Sequence, residues 1–581
     1  MSIFAGVYAR RPDRPVPEGL AQQLRQAMSR HPDDADAVQA FADDRALLLT
    51  LDIGALGGQG SHADAGSVAF VAGAPLLHPA DAAEPLARDA SLAAIAHDLA
   101  ADGDAALRAC RGTYCAFVYD TGARRLHLMT DKSGVRPIYC WVSPDFIVFA
   151  TALRIIEAVP FCKKTLGMQG IAEAATFGFA LGDRTPYENV FSMLAGEHLV
   201  ADGGELRRPR YWRWDEAMPP SASDLPAHER LHRTFRQAVR IRLGADRATA
   251  AFLSGGLDSR VIVAELRDAG AAVFTANYAP PGSQDQVLGK MISDRLGTHN
   301  TPLVRTAVVE GDPYSKATVH EWLKLPAYAA AGPARPRVLW SGDGGSVGLG
   351  HVYLNQDMVD SLRAGDVDAS IRQFFAYNRL GLSVKLFKSH VGSEMNSLMM
   401  QGVRSELQAL APADPGRAWY LFLMMNDQRR HLFNHFESMD LGRLEFELPF
   451  FDAEFLADVM REPFDPFLRH GFYVQWLQQF NPAVAGTPWQ AYPRHVPCPH
   501  PLPEEATYQW DKMGAAELRR RIQAALANAR ELLAPDFNRQ YLGTLRVRLF
   551  MLALRLSGKD YLHQLRAPTL LHRYWTRTLA D

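Results

Sequence analysis

The stretch Ala251-Phe-Leu-Ser-Gly-Gly-Leu-Asp-Ser259 decides how the second half of this chain is built. The apolar run before it, Ala248 to Leu253, predicts a buried strand, and the two glycines predict a sharp turn. A helix that ends near Gly270 and a second strand, Ala272 to Asn277, follow in the sequence. This order of strand, loop, helix and strand predicts an α/β domain with a parallel sheet.

The loop itself has the composition of a phosphate-binding turn. Gly255 and Gly256 let backbone amides approach a phosphate closely, and the start of the helix adds unpaired N–H groups and a dipole that favours anions. The hydroxyls of Ser254 and Ser259 can donate to phosphate oxygens, whereas Asp258 would repel a phosphate and suits Mg²⁺ instead. The alternative is a plain strand–turn–helix with a serine cap. No Gly-Lys-Ser/Thr follows, so this is not a Walker loop.

Ser-Gly-Gly-Leu-Asp-Ser resembles the loop of the ATP pyrophosphatases, and its surroundings resemble the asparagine synthetase superfamily. The resemblance implies ATP and Mg²⁺ as cofactors, cleavage between the α- and β-phosphates, transfer of AMP to a carboxylate, and capture of the acyl-adenylate by an amine. It implies that Leu253 and Asn277 flank the adenosine. It further implies that the pyrophosphate is held by Ser254, Gly255, Gly256 and Ser259, with Asp258 as catalytic metal ligand.

A second glycine-rich loop, Ser341-Gly-Asp-Gly-Gly-Ser346, follows another strand-like run. In asparagine synthetases this place resembles Ser-Gly-Glu-Gly-x-Asp, so Asp343 has the position of the Glu and Ser346 that of the Asp. The resemblance implies that Ser341 and Gly342 bind the nucleotide and that Asp343 is a second catalytic carboxylate at the metal. Whether Asp343 or Ser346 completes the metal site stays open, and an ordinary turn aspartate is the alternative.

A third block, Glu445-Phe-Glu-Leu-Pro-Phe-Phe-Asp452, resembles a segment of the same family that shapes the site opposite the nucleotide. It makes Glu445 a candidate catalytic residue. An equally weighted alternative is a strand end with a capping aspartate before a helix over 453–461. Many relatives place a lysine further on, but this chain has none between Lys388 and Lys512. Arginine is a poor substitute for it, so no residue is assigned this role.

The first 212 residues alternate short strand-like runs with turns. Arg111-Gly-Thr-Tyr-Cys-Ala-Phe-Val-Tyr-Asp120 and Thr130-Asp-Lys-Ser-Gly-Val-Arg-Pro-Ile-Tyr139 resemble the glutaminase half of asparagine synthetases. The resemblance implies an N-terminal glutaminase-like αββα sandwich of the N-terminal-nucleophile type over 1–212. We expect a linker over 213–225, where prolines and serines cluster, and a synthetase domain of the ATP pyrophosphatase type, rich in helices, over 226–581.

The residues for glutamine hydrolysis are missing from this first domain. Such glutaminases need a cysteine thiolate as the nucleophile at the exposed N-terminus, and position 2 is Ser2. The Asn-Gly turn that holds glutamine is replaced by Val71-Ala-Gly-Ala-Pro75. We therefore expect an inactive domain, and without ammonia from glutamine the attacking amine must arrive on the substrate.

Family members without the cysteine include β-lactam synthetases and lasso peptide cyclases, which close an amide within one substrate. The stretch from Thr487 to Pro501 resembles one in lasso cyclases, although a proline-rich surface loop around a buried Trp489 would look the same. The leading hypothesis is a lasso peptide cyclase, which joins the N-terminal amine of a ribosomal precursor peptide to an Asp or Glu side chain. A leader-peptide protease and a leader-recognition protein would be partners.

Two alternatives stay open. One is a small-molecule amide synthetase, β-lactam-like or ammonia-dependent. The other is an inactive scaffold that binds a peptide. Pyrophosphate release with ATP and a substrate separates the scaffold from both enzymes.

Composition narrows the class of protein further. The chain has 581 residues, 48% of them hydrophobic, with a net charge of −2 and five scattered cysteines. The low net charge gives no basic footprint for nucleic acid, and we expect a cytoplasmic protein without a transmembrane segment. His431 and His435 lack the glutamate of a zincin motif, which argues against a metal site there. With Arg429 and Arg430 they could line a substrate cleft or form a solvated face.

Overall fold

The computed structural model describes residues 1–79, 84–218, 223–303, 316–508, 515–557 and 561–579. Part of the expected linker, residues 219–222, lies outside the described residues, as does Lys512. The boundary expected between 213 and 225 therefore stays a prediction.

Twelve strands of the first domain form two antiparallel sheets. The strands are β1 Ser2–Ala9, β2 Gln39–Ala42, β3 Ala46–Asp52, β4 Ser61–Ala63, β5 Ser67–Gly73, β6 Tyr114–Asp120, β7 Arg125–Thr130, β8 Tyr139–Val142, β9 Phe146–Ala150, β10 Val190–Ser192, β11 His198–Asp202 and β12 Glu205–Arg207. The first sheet has the order β10-β8-β9-β1-β3-β2, and the second has the order β12-β11-β7-β6-β5-β4.

Five helices accompany these sheets: α1 Leu20–Met28, α2 Arg88–Ala100, α3 Ala105–Ala109, α4 Leu153–Glu157 and α5 Met168–Phe177. Helices α1, α2 and α4 pack directly on the strands. Alternate residues of β1 show the layering. Phe4 packs between the sheets, edge-on to Phe117 at 5.3 Å, whereas Ile3 packs on the helical side with Leu20. Both faces of β1 are thus covered, so its eight residues are all buried. The αββα sandwich predicted from the sequence is confirmed.

The second domain is built on a parallel sheet of five strands in the order β15-β14-β13-β16-β17. These strands are β13 Ala248–Phe252, β14 Ala272–Asn277, β15 His299–Pro302, β16 Val338–Trp340 and β17 Glu445–Glu447. The central strand β13 reads Ala-Thr-Ala-Ala-Phe and is almost wholly buried. The indole of Trp340 donates to the hydroxyl of Thr249 at 2.9 Å, which pairs the polar groups of β16 and β13 inside the core.

Helices surround this sheet and make up most of the rest of the chain. They are α6 Ala227–Leu243, α7 Asp258–Asp268, α8 Gln284–Leu296, α9 Lys316–Trp322, α10 Pro326–Ala330, α11 Gly345–Gly348, α12 Gln356–Arg363, α13 Val367–Asn378, α14 Ser389–Gln408, α15 Ala418–Phe422, α16 Arg429–Glu437, α17 Met439–Gly442, α18 Ala453–Arg461, α19 Gly471–Trp476, α20 Pro482–Gly486, α21 Ala515–Glu531, α22 Pro535–Tyr541, α23 Thr544–Ser557 and α24 Arg566–Thr578. The predicted parallel-sheet domain with many helices is confirmed. Among the described helices, none is long and apolar enough to cross a membrane.

Candidate active site

The glycine-rich loop lies at the carboxyl edge of the parallel sheet. Strand β13 ends at Phe252 and helix α7 begins at Asp258, so residues 253–257 make the whole connection. Neighbouring strands of a parallel sheet open a crevice at this edge, and helix N-termini point into it. The sequence therefore brings the loop, the positive end of α7 and the start of the second loop to one place.

The loop is held in shape by its own side chains. Ser259 Oγ accepts the Ser254 amide at 2.9 Å, and Ser254 Oγ accepts the Gly256 amide at 3.2 Å. The carboxylate of Asp285 accepts the Gly255 amide at 2.7 Å. A Cβ on Gly255 would lie 3.0 Å from the backbone of Asp285, so glycine is needed for this approach. A phosphate would take over amides that these groups now satisfy.

Asp258 faces the crevice from the first turn of α7. Its Oδ2 accepts the amide of Ser346 at 3.0 Å and the hydroxyl of Ser346 at 2.7 Å, and its Oδ1 accepts the hydroxyl of Tyr473 at 2.7 Å. Burial raises the pKa of Asp258 to about 6, although these donors oppose the rise, and the charge of Asp343 adds to it. An anion this poorly solvated gains much from a cation beside it.

The second loop packs directly on Asp258. A Cβ on Gly345 would stand 2.5 Å from the carboxyl group of Asp258, and one on Gly342 would stand 2.9 Å from the amide of Ser259. Asp343, whose Oδ2 accepts the hydroxyl of Ser341 at 2.5 Å, lines the same hollow of about 300 Å³ as Asp258. The two predicted metal ligands are thus brought together, and Ser346 sits on Asp258 as a hydrogen-bond donor.

The proline-rich stretch forms a wall of the site. Gln490 donates its amide to the carbonyl of Gly255 at 3.1 Å, and residues 489–492 line a second hollow of about 260 Å³ that also contains Asp258. The guanidinium of Arg260, which is fully buried, donates to the carbonyls of Thr487 and Pro488 at 2.8 and 2.9 Å. The same side chain reaches back to the carbonyls of residues 255 and 256. Arg260 therefore ties this wall to the glycine-rich loop.

Two histidines close the far side of this second hollow. The Nδ1 atoms of His470 and His495 lie 2.8 Å apart, so one ring donates to the other. Burial lowers the pKa of His470 to about 3 and that of His495 to about 4, so both rings are neutral at pH 7. Within the described part of the chain, no lysine or arginine lines either hollow. The dipole of α7 and bound cations would supply positive charge for a bound triphosphate.

Leu253 and Asn277 lie below the loop and line neither hollow. The amide group of Asn277 donates to the carbonyls of Leu253 and Asp285 at 2.9 and 3.1 Å, and both predicted adenosine neighbours are buried. Their visible role is to join β13, β14 and the start of α8, which supports the loop from beneath.

Glu445 is placed away from these hollows, at the interface with the first domain. It is fully buried, and its carboxylate accepts the Arg136 guanidinium at 2.5 Å and the Ser2 hydroxyl at 3.0 Å. Burial alone would raise the pKa of Glu445, but the charges of Arg136, the N-terminal amino group and Arg88, with the hydrogen bond from Arg136, together outweigh it and lower the pKa to about 2. Glu445 lines neither hollow, and its contacts are those of an anchor between the domains.

Asp452 fits the capping alternative. It accepts the amides of Glu454 and Phe455 at the start of α18, at 3.1 and 3.2 Å. It also pairs with Arg111 of the first domain and with Arg242, each at 2.8 Å.

The four basic residues of helix α16 do not share one surface. Arg429 and Arg430 are buried and donate to carbonyls of the first domain, among them that of Gly182 at 3.0 Å. They form no solvated face, and Arg430 lines a hollow of about 600 Å³ that shares no residue with the two hollows at Asp258. His431 and His435 lie on the opposite side, where the carboxylate of Asp343 faces both rings at 4.0 and 3.9 Å. The sequence argument against a metal site considered the histidines alone, and the structure adds a third ligand group to them.

Sequence reasoning missed three residues of this site. Arg260 and Tyr473 are polar residues on otherwise apolar helix faces, a pattern that indicates a buried partner. Tyr492 lines both hollows from the proline-rich stretch, and no local signal distinguishes it from a surface tyrosine.

Fold and site together define a two-domain protein, in which an N-terminal-nucleophile-type sandwich precedes a parallel-sheet domain with a glycine-rich loop. Residues 89–212 match the family described as glutamine amidotransferase domain, and residues 230–473 match the family described as asparagine synthase. These matches support placing the chain in the asparagine synthetase superfamily.

Individual relatives are similar to a part of this chain. A putative glutamine-hydrolyzing asparagine synthetase 2 of Methanocaldococcus jannaschii is 27% identical over 161 residues, which are 27% of this chain and 31% of that protein. Amidase chry2 of Gibberella zeae is 27% identical over 26% of this chain and 22% of its own length. Glutamine-hydrolyzing asparagine synthetase 3 of Bacillus subtilis is 30% identical over 26% of this chain and 25% of its own length. The alignments span less than a third of each relative.

Proposed function

We propose that the protein is an ATP-dependent, AMP-forming carbon–nitrogen ligase that closes a macrolactam within a ribosomal peptide. The observation that carries the proposal is Asp258, a poorly solvated carboxylate beside a glycine-rich loop at the N-terminus of α7. The asparagine synthase match and the asparagine synthetase relatives support amide bond formation driven by ATP.

The proposed reaction has two steps. A carboxylate oxygen of the substrate attacks the α-phosphorus of ATP, and the bond to the β-phosphate breaks to release pyrophosphate. An amine of the same substrate then attacks the acyl carbon, AMP leaves, and the nitrogen gives up a proton as the amide forms. Holding the amine against the acyl-adenylate makes this second step effectively intramolecular.

The residues present fit Mg²⁺, which prefers one or two carboxylates together with phosphate oxygens. Asp258 and Asp343 line one hollow, and a magnesium ion bound there would offset the charge of the triphosphate. In this proposal the hydroxyls of Ser254 and Ser259 and the amide of Gly256 would exchange their mutual hydrogen bonds for ones to the pyrophosphate as it leaves.

The choice of a substrate-borne amine rests on the first domain. Ser2 stands where a glutaminase of this type has cysteine, and its hydroxyl is engaged by Glu445 and by Arg88 at 3.3 Å. The carboxylate that accepts this hydroxyl, Glu445, is also paired with Arg136 at 2.5 Å and with the N-terminal amino group at 3.3 Å. A serine in this setting is a poor nucleophile, which favours intramolecular amide closure over an ammonia-fed reaction.

The test combines the purified protein, Mg·ATP and a synthetic precursor peptide, with pyrophosphate release and peptide mass as readouts. We expect pyrophosphate release that depends on the peptide and a product lighter by one water. Release only with a small amino acid would indicate the β-lactam-like or ammonia-dependent alternative. A peptide that binds without pyrophosphate release would indicate a scaffold. A leader-peptide protease and a leader-recognition protein, added separately, would test the proposed partners.

A further inference from the structure

Three potential metal ligands meet beside the second glycine-rich loop. They are Asp343 of that loop and the two histidines His431 and His435 of α16, and one ligand atom of each lies within 4.8 Å of the others. Each histidine Nε2 faces one carboxylate oxygen of Asp343, at 4.0 Å for His431 and 3.9 Å for His435. Two imidazoles and one carboxylate are therefore aimed at a common point.

The fold fixes this arrangement from both sides. His431 and His435 are four residues apart, so they lie one above the other on one face of α16. The rotation of α16 is set by Arg429 and Arg430, whose guanidinium groups are held by carbonyls of the first domain. Immediately before α16 the helix widens into a π-helix over Leu423–Gln428, a feature common at functional sites. Asp343 is steadied in turn by the hydroxyl of Ser341.

The donor set selects the kind of ion. Imidazole nitrogen suits zinc and its neighbours in the first transition row, whereas magnesium and calcium prefer oxygen alone. Two ligands about 2.1 Å from a tetrahedral ion lie about 3.4 Å apart, so side-chain rotations that move each ligand atom by less than about 1 Å would bring them into range. Side chains 24% exposed at Asp343 and 45% exposed at His431 leave room for water as a further ligand.

We propose that Asp343, His431 and His435 bind a divalent transition-metal ion of the zinc type, at a site that adjoins the proposed magnesium site and shares Asp343 with it. The ion links α16 to the second glycine-rich loop. That loop presses on Asp258 through Gly345 and Ser346, so the ion positions the nucleotide site. This assignment goes beyond the proposed function and is tested without ATP or peptide.

The first experiment measures binding on tag-free, full-length protein. After chelation and exchange, we expect one Zn²⁺ per chain to survive dialysis, counted by elemental mass spectrometry. Co²⁺ in its place should give visible ligand-field bands typical of nitrogen and oxygen ligands, without the charge-transfer band of a thiolate. A wild-type protein that retains no metal and gives no such spectrum overturns the proposal.

Variants then locate the site. His431→Gln, His435→Gln and Asp343→Asn should each weaken Zn²⁺ binding at least about tenfold, because even outer-shell changes around zinc cost about 10–100-fold. His390→Gln, in an exposed position of α14, and Asp258→Asn should leave binding unchanged. His435 is buried, so circular dichroism must show that its variant folds, and the part-exposed His431 supplies the independent test. Undiminished binding in the His431 variant would overturn the assignment.

Binding results and activity results can be told apart. If zinc binds as expected but no peptide is cyclised, the metal site stands and the proposed function falls. If cyclisation proceeds in the fully zinc-free protein at the wild-type rate and no zinc binds, the metal site falls alone.

Discussion

Asp258 is the residue on which the proposed chemistry turns. Asp258→Asn keeps the size of the side chain, and its Oδ1 can still accept from Ser346 while its NH2 group donates to the Tyr473 hydroxyl, so the fold should survive. We expect pyrophosphate release to fall to background, because the amide carries no charge to hold a magnesium ion. Asp357→Asn, on the exposed face of α12, is the matched control and should behave as wild type. Turnover in the Asp258 variant would exclude the metal role.

The raised pKa of Asp258 makes the pH dependence predictable. Only the ionised form binds the cation, so kcat/KM for Mg·ATP should fall as the pH drops below about 6. Tyr473→Phe removes a hydroxyl that stabilises the carboxylate, and should therefore move this acidic limb to higher pH.

The control for this pH profile is Tyr541→Phe, where the tyrosine packs against Phe537 in α22, and its profile should match wild type. An acidic limb that stays in place in Tyr473→Phe would show that another group sets it.

At the scale of elements, the contact between the two glycine-rich loops is the tightest part of the site. Gly345→Ala puts a methyl group 2.5 Å from the Asp258 carboxyl group, so one loop must move. A displacement of about 1 Å costs roughly 100-fold in rate, and we expect a loss of that order in kcat/KM for Mg·ATP. Gly381→Ala meets nothing within 4 Å and should be silent. Equal activity in the two variants would contradict the geometry.

Local elements were the part of the fold that sequence patterns predicted well. Strand β14 and helix α18 have the predicted bounds, because alternating or periodic apolar residues end there at a glycine, a proline or a capping aspartate. The first loop was predictable for the same reason, since it needs only residues adjacent in sequence. Contacts between distant segments left no such signal: Arg260 with Pro488, and Asp343 with His435, are separated by many elements.

Glu445 shows a limit of another kind. A motif made Glu445 a candidate catalytic residue opposite the nucleotide. Such a motif predicts where a strand lies, but not the face of the strand on which each side chain stands. Adjacent residues of a strand point to opposite faces. On β17 the face that carries Glu445 meets Arg136 of the first domain.

At the scale of the whole molecule, charge pairs hold the two domains together. Glu445→Gln leaves the Arg136 guanidinium, which is 3% exposed, without its anion. Breaking a buried pair in this way costs about 3–5 kcal/mol, so the unfolding temperature should drop clearly. If Glu445 is an anchor, kcat for pyrophosphate release at low temperature should be retained, whereas a catalytic role would abolish it.

Ser2→Ala is the companion variant for Glu445→Gln. It removes one hydroxyl from the same cluster, which is worth about 1 kcal/mol, and should leave activity nearly intact. A large loss of activity in Ser2→Ala, with the fold preserved, would indicate that Ser2 acts as a nucleophile. Thermal unfolding and pyrophosphate release, measured on both variants, separate the two roles.

The carbonyls that hold Arg429 and Arg430 bear on any attempt to shorten this enzyme. In a chain that began at residue 226, both guanidinium groups would lose the carbonyl acceptors of the first domain. Water would have to replace those hydrogen bonds. Helix α16 would then be free to rotate about its axis, and His431 and His435 would no longer be held facing Asp343. The first domain thus supplies contacts that fix the position of helix α16 in the second domain. A shortened protein would therefore need a redesigned surface on α16, where Arg429 and Arg430 now contact the first domain.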